Sequence, residues 1–347
     1  MTDRLLFRAL KGGKGTKIVT LNGKRLTKMP AGLSSLPGLK ILDLQNNRIS
    51  SISVEIENLR QLRTLNLGHN CLSEVPGVIK YLTSLKQLQL FENSIQNFTN
   101  EACDGLQNLN LLNLNNNKLT LIPEEIKRLS NLRYLSINNN KLIRIPAEIC
   151  FLQNLSELQL NYNHLRCLPE EIKYLRNLQK LFVVRNKLEA LPEGLCVLRN
   201  LKVLDIAGNR IQAFPRGFQK MKLKEFYCEG NPLFLRQPYK ALQESYVFTL
   251  QEITARFIMN QLEEKNSFLM KAIEWYPQIK DKIAHAKTCV ICGKPFLTVW
   301  LECIEFVPPN KNWKISGNLK LVPIRVLICS FMCFSLRSPD IFGIAQV

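Results

Sequence analysis

Apolar residues recur in one fixed frame through most of the chain. The frame at Leu39 has apolar residues at Leu39, Leu42, Leu44 and Ile49 and a polar residue at Asn47, and it returns about every 23 residues. Residues two apart point to the same side of a strand, so Leu42 and Leu44 predict a short strand with one buried side. We therefore predict one such strand in each repeat.

An asparagine stands in each frame at the point where the chain must turn away from the strand. A side-chain amide carries donors and an acceptor, so it can satisfy backbone groups that the turn leaves open. We predict that these amides form a structural ladder from repeat to repeat, made by Asn47, Asn70, Asn93, Asn117, Asn140, Asn163, Asn186, Asn209 and Asn231.

The second half of each repeat predicts a helical return along the opposite side. Residues 122–129 show helix-like apolar spacing after Pro123. Two repeats depart from this pattern, because Ser53 takes the proline position and residues 97–106 carry one extra residue without a proline. We expect the second of these to bulge or to change its turn. In a weak first repeat, Lys24 replaces the asparagine.

The frame resembles the leucine-rich repeat, and segments such as residues 168–175 resemble its intracellular, Ras-suppressor-like class. The resemblance implies an α/β repeat solenoid, a horseshoe of about ten repeats of about 23 residues, with a concave face that recognises proteins. Because the frame stops near Asn231, we predict four parts: a flexible segment at 1–15, the solenoid at 16–234, a helical cap or docking segment at 235–286, and a cysteine-rich tail at 287–347.

Exposed positions between the inward leucines define a candidate partner site. The central repeats supply amides, and the later repeats add aromatic rings and an arginine, which are the side chains that dominate protein interfaces. The alternative is an ordinary polar surface with aromatic residues by chance. We predict that a protein partner binds the concave face at Asn66, Gln89, Phe91, Asn113, Tyr134, Gln159, Tyr162, Phe182, Arg185 and Tyr227.

Two short cysteine pairs form the candidate metal site of the tail. Cysteines separated by two or three residues reach one tetrahedral ion, and Gly293 after the first pair permits a tight turn. The pattern resembles treble-clef and TRASH-like zinc modules, which implies a small zinc-ribbon or treble-clef-like tail. Unliganded thiols are the alternative, and Cys303 is a substitute ligand. We predict a structural zinc ion bound by Cys289, Cys292, Cys329 and Cys333.

A helical segment precedes this tail, with apolar residues on one face at Leu250, Ile253, Phe257, Ile258 and Leu262. We expect it to pack on the end of the solenoid or on a partner.

The stretch 249–258 resembles the elongin-binding box of SOCS-box proteins, although Thr254 stands where cysteine is usual. The resemblance implies docking of the elongin B and C pair through Leu250, Thr254 and Ile258, and hence a substrate receptor of a cullin ubiquitin ligase. Ordinary core packing of an amphipathic helix is the alternative.

The net charge of +19 raises the question of anionic partners. One basic row follows the ladder asparagines, which we interpret as a solvated rim or as a surface that steers an acidic protein or anionic lipid. The chain has no interleaved aromatic and basic platform and no DNA-reading motif, so we do not expect nucleic-acid binding. The row consists of Arg48, Lys118, Lys141, His164, Lys187 and Arg210.

Composition argues against an enzyme and against secretion. Residues 11–17 only superficially suggest a phosphate loop, and three histidines leave little material for a catalytic or metal site. No signal-peptide core or spanning apolar stretch is evident, and six of the eleven cysteines are scattered one per repeat, which does not suggest a disulfide framework. We expect a non-enzymatic, monomeric scaffold without a membrane span, in the cytoplasm, a reducing compartment.

Overall fold

The structure is a computed structural model that describes residues 11–234, 248–264, 267–298, 300–315, 319–336 and 341–343. The chain divides into two units. The first unit contains Met1–Ile211, Lys220–Pro232 and Asn310–Asn318, and the second contains Gln212–Gln219, Leu233–Pro309 and Leu319–Val347. Residues 235–247, which belong to the predicted helical segment, lie outside the described residues.

Each repeat of the first unit contributes one three-residue strand to a parallel sheet. The inward leucines stack in register, because Leu42 lies opposite Leu65 and Leu65 lies opposite Leu88, and all three are fully buried. The predicted repeat solenoid is therefore confirmed. Its strands are β1 (Ile18–Thr20), β2 (Ile41–Asp43), β3 (Thr64–Asn66), β4 (Glu74–Val75), β5 (Gln87–Gln89), β6 (Asn97–Phe98), β7 (Leu111–Asn113), β8 (Tyr134–Ser136), β9 (Glu157–Gln159), β10 (Lys180–Phe182), β11 (Val203–Asp205) and β12 (Glu225–Tyr227). All but β4 and β6, which pair with each other, join the main sheet.

The return segments form short 3-10 helices. In most repeats only five residues separate the proline position from the next buried leucine, so a tighter turn is formed instead of an α-helix. The repeat with the extra residue has a four-residue helix, so its turn changes as expected. These helices are Gly13–Gly15, Ala31–Ser35, Val54–Asn58, Gly77–Tyr81, Asn100–Cys103, Glu124–Arg128, Ala147–Phe151, Glu170–Tyr174, Glu193–Val197 and Phe218–Lys220.

The asparagine ladder links each repeat to the one before it. The Asn140 side chain accepts a hydrogen bond from the Leu119 amide at 3.0 Å and donates to the Leu114 carbonyl at 3.0 Å. The same pattern repeats at the other ladder positions, and Asn163 is only 3% exposed. The ladder thus satisfies buried backbone groups that no strand or helix reaches.

A second, exposed asparagine ladder lies at the position three residues before each of the five strands from β7 to β11. The side chain of Asn131 donates to the Gln107 carbonyl at 2.9 Å, and its equivalents do the same across successive repeats. Water also reaches these groups, so each bond contributes less than its counterpart in the buried ladder. The sequence frame did not predict this ladder, which consists of Asn108, Asn131, Asn154, Asn177 and Asn200.

An eleventh strand joins the sheet from outside the repeats. Strand Lys314–Ile315 pairs in parallel with β12, the strand of the last repeat. The neighbouring Trp313 is buried, stacks edge-on against Phe226 at 5.4 Å, and donates its indole hydrogen bond to the Met221 carbonyl at 3.1 Å. A solenoid exposes its apolar cross-section at the last repeat, and this segment covers that edge.

The second unit combines helices with small sheets. Strands β13 (Lys287–Thr288) and β14 (Pro295–Phe296) form a hairpin. Strand β15 (Leu301–Val307) pairs antiparallel with β17 (Val322–Ile328) and β18 (Ile341–Gly343). The label β16 is given to Lys314–Ile315, the strand that belongs to the first unit. The helices are α1 (Leu250–Glu263), α2 (Ser267–Glu274), α3 (Pro277–Ala284) and α4 (Phe331–Leu336).

The buried side of α1 is not the apolar face that the spacing indicated. Leu250 is 78% exposed, and Ile253 and Phe257 are also largely exposed, whereas Ala255 and Met259 are buried. The remaining buried residue of this helix is an acid, Glu252. Hydrogen bonds and an ion pair to Glu252 fix the orientation of the helix and leave its apolar face outward in this unit.

Candidate functional site

The four predicted cysteines meet in the second unit. Cys289 and Cys292 lie in the turn between β13 and β14, which closes at Gly293 with a φ of 73°. That positive φ suits glycine, as the sequence predicted. Cys329 follows β17 and Cys333 lies in the first turn of α4, so the site takes ligands from a hairpin and a helix start, as in a treble clef.

The four sulfur atoms form one cluster. The Sγ atom of Cys329 lies 3.5 Å from those of Cys292 and Cys333, and all four sulfur atoms lie within 4.8 Å of one another. A tetrahedral zinc ion with Zn–S bonds of about 2.3 Å separates its sulfur ligands by about 3.8 Å. Four thiolates are also a donor set that suits zinc, so the residues fit this ion in both chemistry and spacing.

The backbone around the cluster favours ionised sulfur at one position. Burial acts to raise the pKa of Cys289, but the N–H groups of Cys292, Cys329 and Ile291 outweigh it and lower that pKa to about 7. Burial raises the pKa of Cys329 and of Cys333. Four clustered thiolates repel one another, so a cation is needed to hold them all in the ionised form.

The substitute ligand Cys303 lies outside this group. It is buried on β15, and burial raises the pKa of its thiol to about 12. The group of clustered sulfurs contains only the two predicted pairs among the described residues.

A buried acid that contacts the segment after the first cysteine pair was not foreseen from the sequence. Glu252 on α1 is fully buried, and its carboxylate accepts hydrogen bonds from the Leu297 amide at 3.1 Å and the Thr298 amide at 2.6 Å. Burial alone would raise the pKa of Glu252, but the Arg256 guanidinium and these N–H donors hold it below its ordinary value. The only sequence feature that pointed to this ion pair was an acid four residues before an arginine. The same spacing occurs in many exposed helical ion pairs, so it does not indicate burial.

The predicted partner residues lie on the exposed side of the parallel sheet or at its edge, which we call the strand face. The middle of this face is a polar network: Ser136 donates to Asn115 at 2.7 Å, Asn138 donates to Gln159 at 2.8 Å, and the Asn161 amide donates to Asn138 at 2.8 Å. The prediction named Gln159 but missed the three asparagines. These asparagines could have been found in the sequence, because each stands two positions before an asparagine of the buried ladder.

Aromatic residues flank this network on both sides. Phe91 covers Gly68 so closely that a Cβ atom on that glycine would lie 2.4 Å from the ring, and the ring meets His69 edge-on at 5.3 Å. Toward the later repeats, the Arg185 guanidinium lies over the Tyr162 ring at 5.5 Å. The other predicted positions are part-exposed, as an interface requires: Asn66, Gln89, Asn113, Tyr134, Phe182 and Tyr227.

The last repeats add negative charge to this face. The Glu225 carboxylate raises the pKa of Tyr227 and accepts a hydrogen bond from its hydroxyl at 3.2 Å. Burial raises the pKa of Asp205, with a further contribution from Glu229. From its middle to the last repeats, the strand face therefore changes from neutral amides to aromatic and acidic side chains.

The candidate docking residues of α1 are accessible. Leu250 begins the helix and is exposed, Thr254 is exposed and donates its hydroxyl hydrogen bond to the Leu250 carbonyl at 2.8 Å, and Ile258 is half-buried. All six residues of the basic row are exposed as well. The helices in the described part of the chain are too short or too polar to traverse a bilayer.

Comparison with known proteins agrees with the frame. The Leucine rich repeat profile matches residues 14–72, 37–95, 83–142, 130–188 and 176–233. The chain is 70% identical over its full length, and over the full length of the relative, to leucine-rich repeat-containing protein 69 of Homo sapiens. It is 59% identical over 129 residues, 37% of each chain, to the protein of the same name from Mus musculus.

Solved structures share the repeat architecture. A leucine-rich repeat protein of Leptospira interrogans matches with a TM-score of 0.62 and 36% identity, covering 64% of this chain and 56% of that one. The leucine-rich repeat ectodomain of the Arabidopsis thaliana receptor kinase GASSHO1/SCHENGEN3, in complex with CASPARIAN STRIP INTEGRITY FACTOR 2, matches with a TM-score of 0.51 and 26% identity. It covers 63% of this chain and 31% of that one. The chain therefore belongs to the leucine-rich repeat family.

Proposed function

We propose that this chain is a non-enzymatic scaffold that binds a protein partner on the strand face. Leucine-rich repeat proteins typically serve protein–protein interaction. The observation that carries the proposal is the pairing of a rigid amide network with exposed aromatic and arginine side chains next to it. A hydrogen-bonded network fixes the surface before binding, so less conformational entropy is lost when the partner docks.

The later repeats are the favoured contact region. Tyr162, Phe182, Arg185 and Tyr227 combine rings, a cation and nearby carboxylates, which suits a partner with both apolar and basic side chains. The Arabidopsis relative is a precedent for a leucine-rich repeat ectodomain in complex with another factor. We propose further that the protein is a monomer and that it resides in the cytoplasm, a reducing compartment, because six of its cysteines are scattered one per repeat.

A matched pair of surface variants tests this proposal. The test variant carries Phe182→Ser and Arg185→Glu on the strand face, and the control carries Phe151→Ser and Tyr174→Ser, an exposed stacked pair on the 3-10 helices. Both are compared with the parent chain by co-purification and mass spectrometry after circular dichroism has confirmed their fold. We expect partners that the control retains and the test variant loses. Partners that both variants retain would contradict strand-face binding.

We propose further that a structural zinc ion holds the second unit together at Cys289, Cys292, Cys329 and Cys333. Four sulfur atoms within 4.8 Å of one another carry this proposal. A small module with little core gains its folding free energy from such an ion. Protein purified without chelators should contain one zinc ion per chain, and Cys292→Ser should lose it while the exposed Cys71→Ser keeps it. Metal-free wild-type protein with unchanged stability would remove the site.

A second function is favoured by one observation, the 78% exposure of Leu250 at the start of α1. We propose it as an alternative in which α1 docks the elongin B and C pair and the strand face selects a substrate for a cullin ubiquitin ligase. Leu250→Asp should then leave the fold intact, because the side chain is exposed, and should abolish co-elution with purified elongin B and C. Absence of co-elution by the parent chain would exclude this alternative.

A further inference from the structure

Helix α1 holds a fully buried carboxylate within a largely exposed helix. Every carboxylate oxygen of Glu252 is engaged: Oε1 accepts from the Arg256 Nε at 2.6 Å and from the Leu297 amide at 3.1 Å. Oε2 accepts from the Thr298 amide at 2.6 Å and from the Thr298 hydroxyl at 2.7 Å. A buried charge with this many donors is stable only while all its partners stay in place.

These partners belong to both halves of the cysteine cluster. Leu297 and Thr298 directly follow β14, the strand that leaves the turn holding Cys289 and Cys292. On the other side, the Arg256 Nη2 donates to the backbone carbonyl of Cys329 at 2.9 Å. The pair formed by Glu252 and Arg256 therefore joins α1 to the hairpin and to the β17–α4 junction at the same time.

Both contacted segments include short elements next to the cysteine cluster. The hairpin strands β13 and β14 contain two residues each, and α4 contains six. Elements of this length are not stable in isolation, so a metal ion that links Cys289 and Cys292 to Cys329 and Cys333 supplies much of their stability. Without the ion, the donors to Glu252 and the acceptor of Arg256 lose their fixed positions.

We propose that Glu252 and Arg256 couple the metal centre to α1, so that metal loading decides whether α1 is held as an ordered helix with its Leu250–Phe257 face outward. This inference rests on the proposed zinc site and adds its consequence for the helix. The two residues are positioning residues, since neither supplies a metal ligand. Coupling of this kind is reciprocal. If zinc binding stabilises α1, then the contacts that α1 makes must strengthen zinc binding by the same free energy.

Hydrogen exchange of the full chain measures the first half of this coupling. The zinc-loaded protein and the protein treated with a chelator are compared by exchange mass spectrometry over residues 250–263 and over a solenoid segment, residues 132–163. We expect zinc removal to raise exchange in α1 by at least about tenfold, as expected for loss of a helix. The solenoid segment should keep its protection, because its ladder does not involve the metal.

Zinc affinity of variants measures the second half. Glu252→Gln removes the charge that Arg256 needs and turns one acceptor into a donor that faces the Thr298 amide. We expect it to weaken zinc binding by about 10- to 100-fold in competition with a chromophoric chelator, as for other residues that orient metal ligands. Glu263→Gln on the same helix is the control, because Glu263 is exposed, and it should leave the affinity unchanged. Arg256→Lys keeps the positive charge but cannot contact both Glu252 and the Cys329 carbonyl as the guanidinium does. It is the second test variant, and it replaces the first if Glu252→Gln fails to fold.

The outcomes separate the two proposals. The coupling would be overturned, and the metal site left standing, by three results together. Zinc would bind stoichiometrically, its removal would leave hydrogen exchange of α1 unchanged, and Glu252→Gln and Arg256→Lys would both keep the zinc affinity of the parent chain. Absence of bound zinc in the parent chain would overturn both. Weaker zinc binding in both variants, with faster exchange of α1 in the chelated protein, is the result expected from the geometry.

Discussion

Replacing Asn140 by alanine is expected to destabilise the solenoid by about 1.5–4.5 kcal/mol. Asn140 is 6% exposed, its side-chain oxygen accepts a hydrogen bond from the Leu119 amide, and its NH2 group, with two hydrogens, lies 3.0–3.4 Å from three carbonyl oxygens. The neighbouring ladder residues still donate to two of those carbonyls, at Leu114 and Ile137, after the substitution. The Leu119 amide is different, since Asn140 is its hydrogen-bond acceptor.

The magnitude follows from that difference. A buried donor left unsatisfied costs about 1–3 kcal/mol, and the loss of bonds whose acceptors keep a second donor adds about 0.5–1.5 kcal/mol. The matched control is Asn131→Ala in the exposed ladder, where a single bond of 2.9 Å to the Gln107 carbonyl is replaced by water. That control should cost less than about 1 kcal/mol.

Urea unfolding followed by far-ultraviolet circular dichroism measures both variants, with the slope compared to confirm that the transition stays cooperative. Hydrogen exchange should also show that the Leu119 amide loses protection in Asn140→Ala and keeps it in Asn131→Ala. Equal free-energy changes in the two variants would refute the reasoning, because they would mean that burial of the ladder does not determine its contribution.

Three further predictions concern other parts of the chain. Trp313→Ala should destabilise the last repeats by about 3–5 kcal/mol, the range for a buried aromatic residue, and an unchanged melting transition would show that the eleventh strand is not a cap. Gly105→Ala places a Cβ atom 1.5 Å from a backbone carbonyl oxygen and should cost at least about 2 kcal/mol by urea unfolding, whereas Gly15→Ala, with open space around it, should be neutral. Burial raises the pKa of Cys103 to about 12, so its thiolate fraction at neutral pH is very small and N-ethylmaleimide should label the exposed Cys71 at least about a hundredfold faster. Comparable labelling rates at the two cysteines would contradict the burial of Cys103.

The repeat frame made the solenoid predictable in detail. Each frame states the same pattern of inward leucines and a turn asparagine, so the strand positions and the buried ladder follow from periodicity alone. The type of turn was less certain, because apolar spacing after a proline suits an α-helix as well as the 3-10 helices observed at segments such as Glu124–Arg128.

Contacts between distant segments were not predictable in the same way. Lys314–Ile315 carries no repeat signal, yet it pairs with β12. The face of α1 was also not predictable from spacing, because periodicity treats Leu250 and Phe257 as buried residues and Glu252 as a solvated one. Four hydrogen bonds and an ion pair bury Glu252 and leave Leu250 and Phe257 exposed instead. These bonds depend on Leu297, Thr298 and Cys329, whose positions no local sequence pattern reveals.

The candidate metal site was predictable in part, less fully than the solenoid but more than the contacts of α1. The two short cysteine pairs made the clustered residues predictable, since cysteines at such spacing can converge on one point. Their meeting across 37 residues depends on β17, which runs back beside the hairpin and places Cys329 3.5 Å from Cys292. The amides that lower the pKa of Cys289 arise from the same turn geometry.

The metal centre is the claim on which the account of the second unit depends. X-ray absorption at the zinc edge, recorded on full-length protein purified without chelators or affinity tags that bind metal, reports its ligands directly. We predict a single shell of four sulfur atoms at about 2.3 Å. An absent zinc signal, or a shell dominated by nitrogen or oxygen atoms near about 2.0 Å, would contradict the centre formed by the four cysteines.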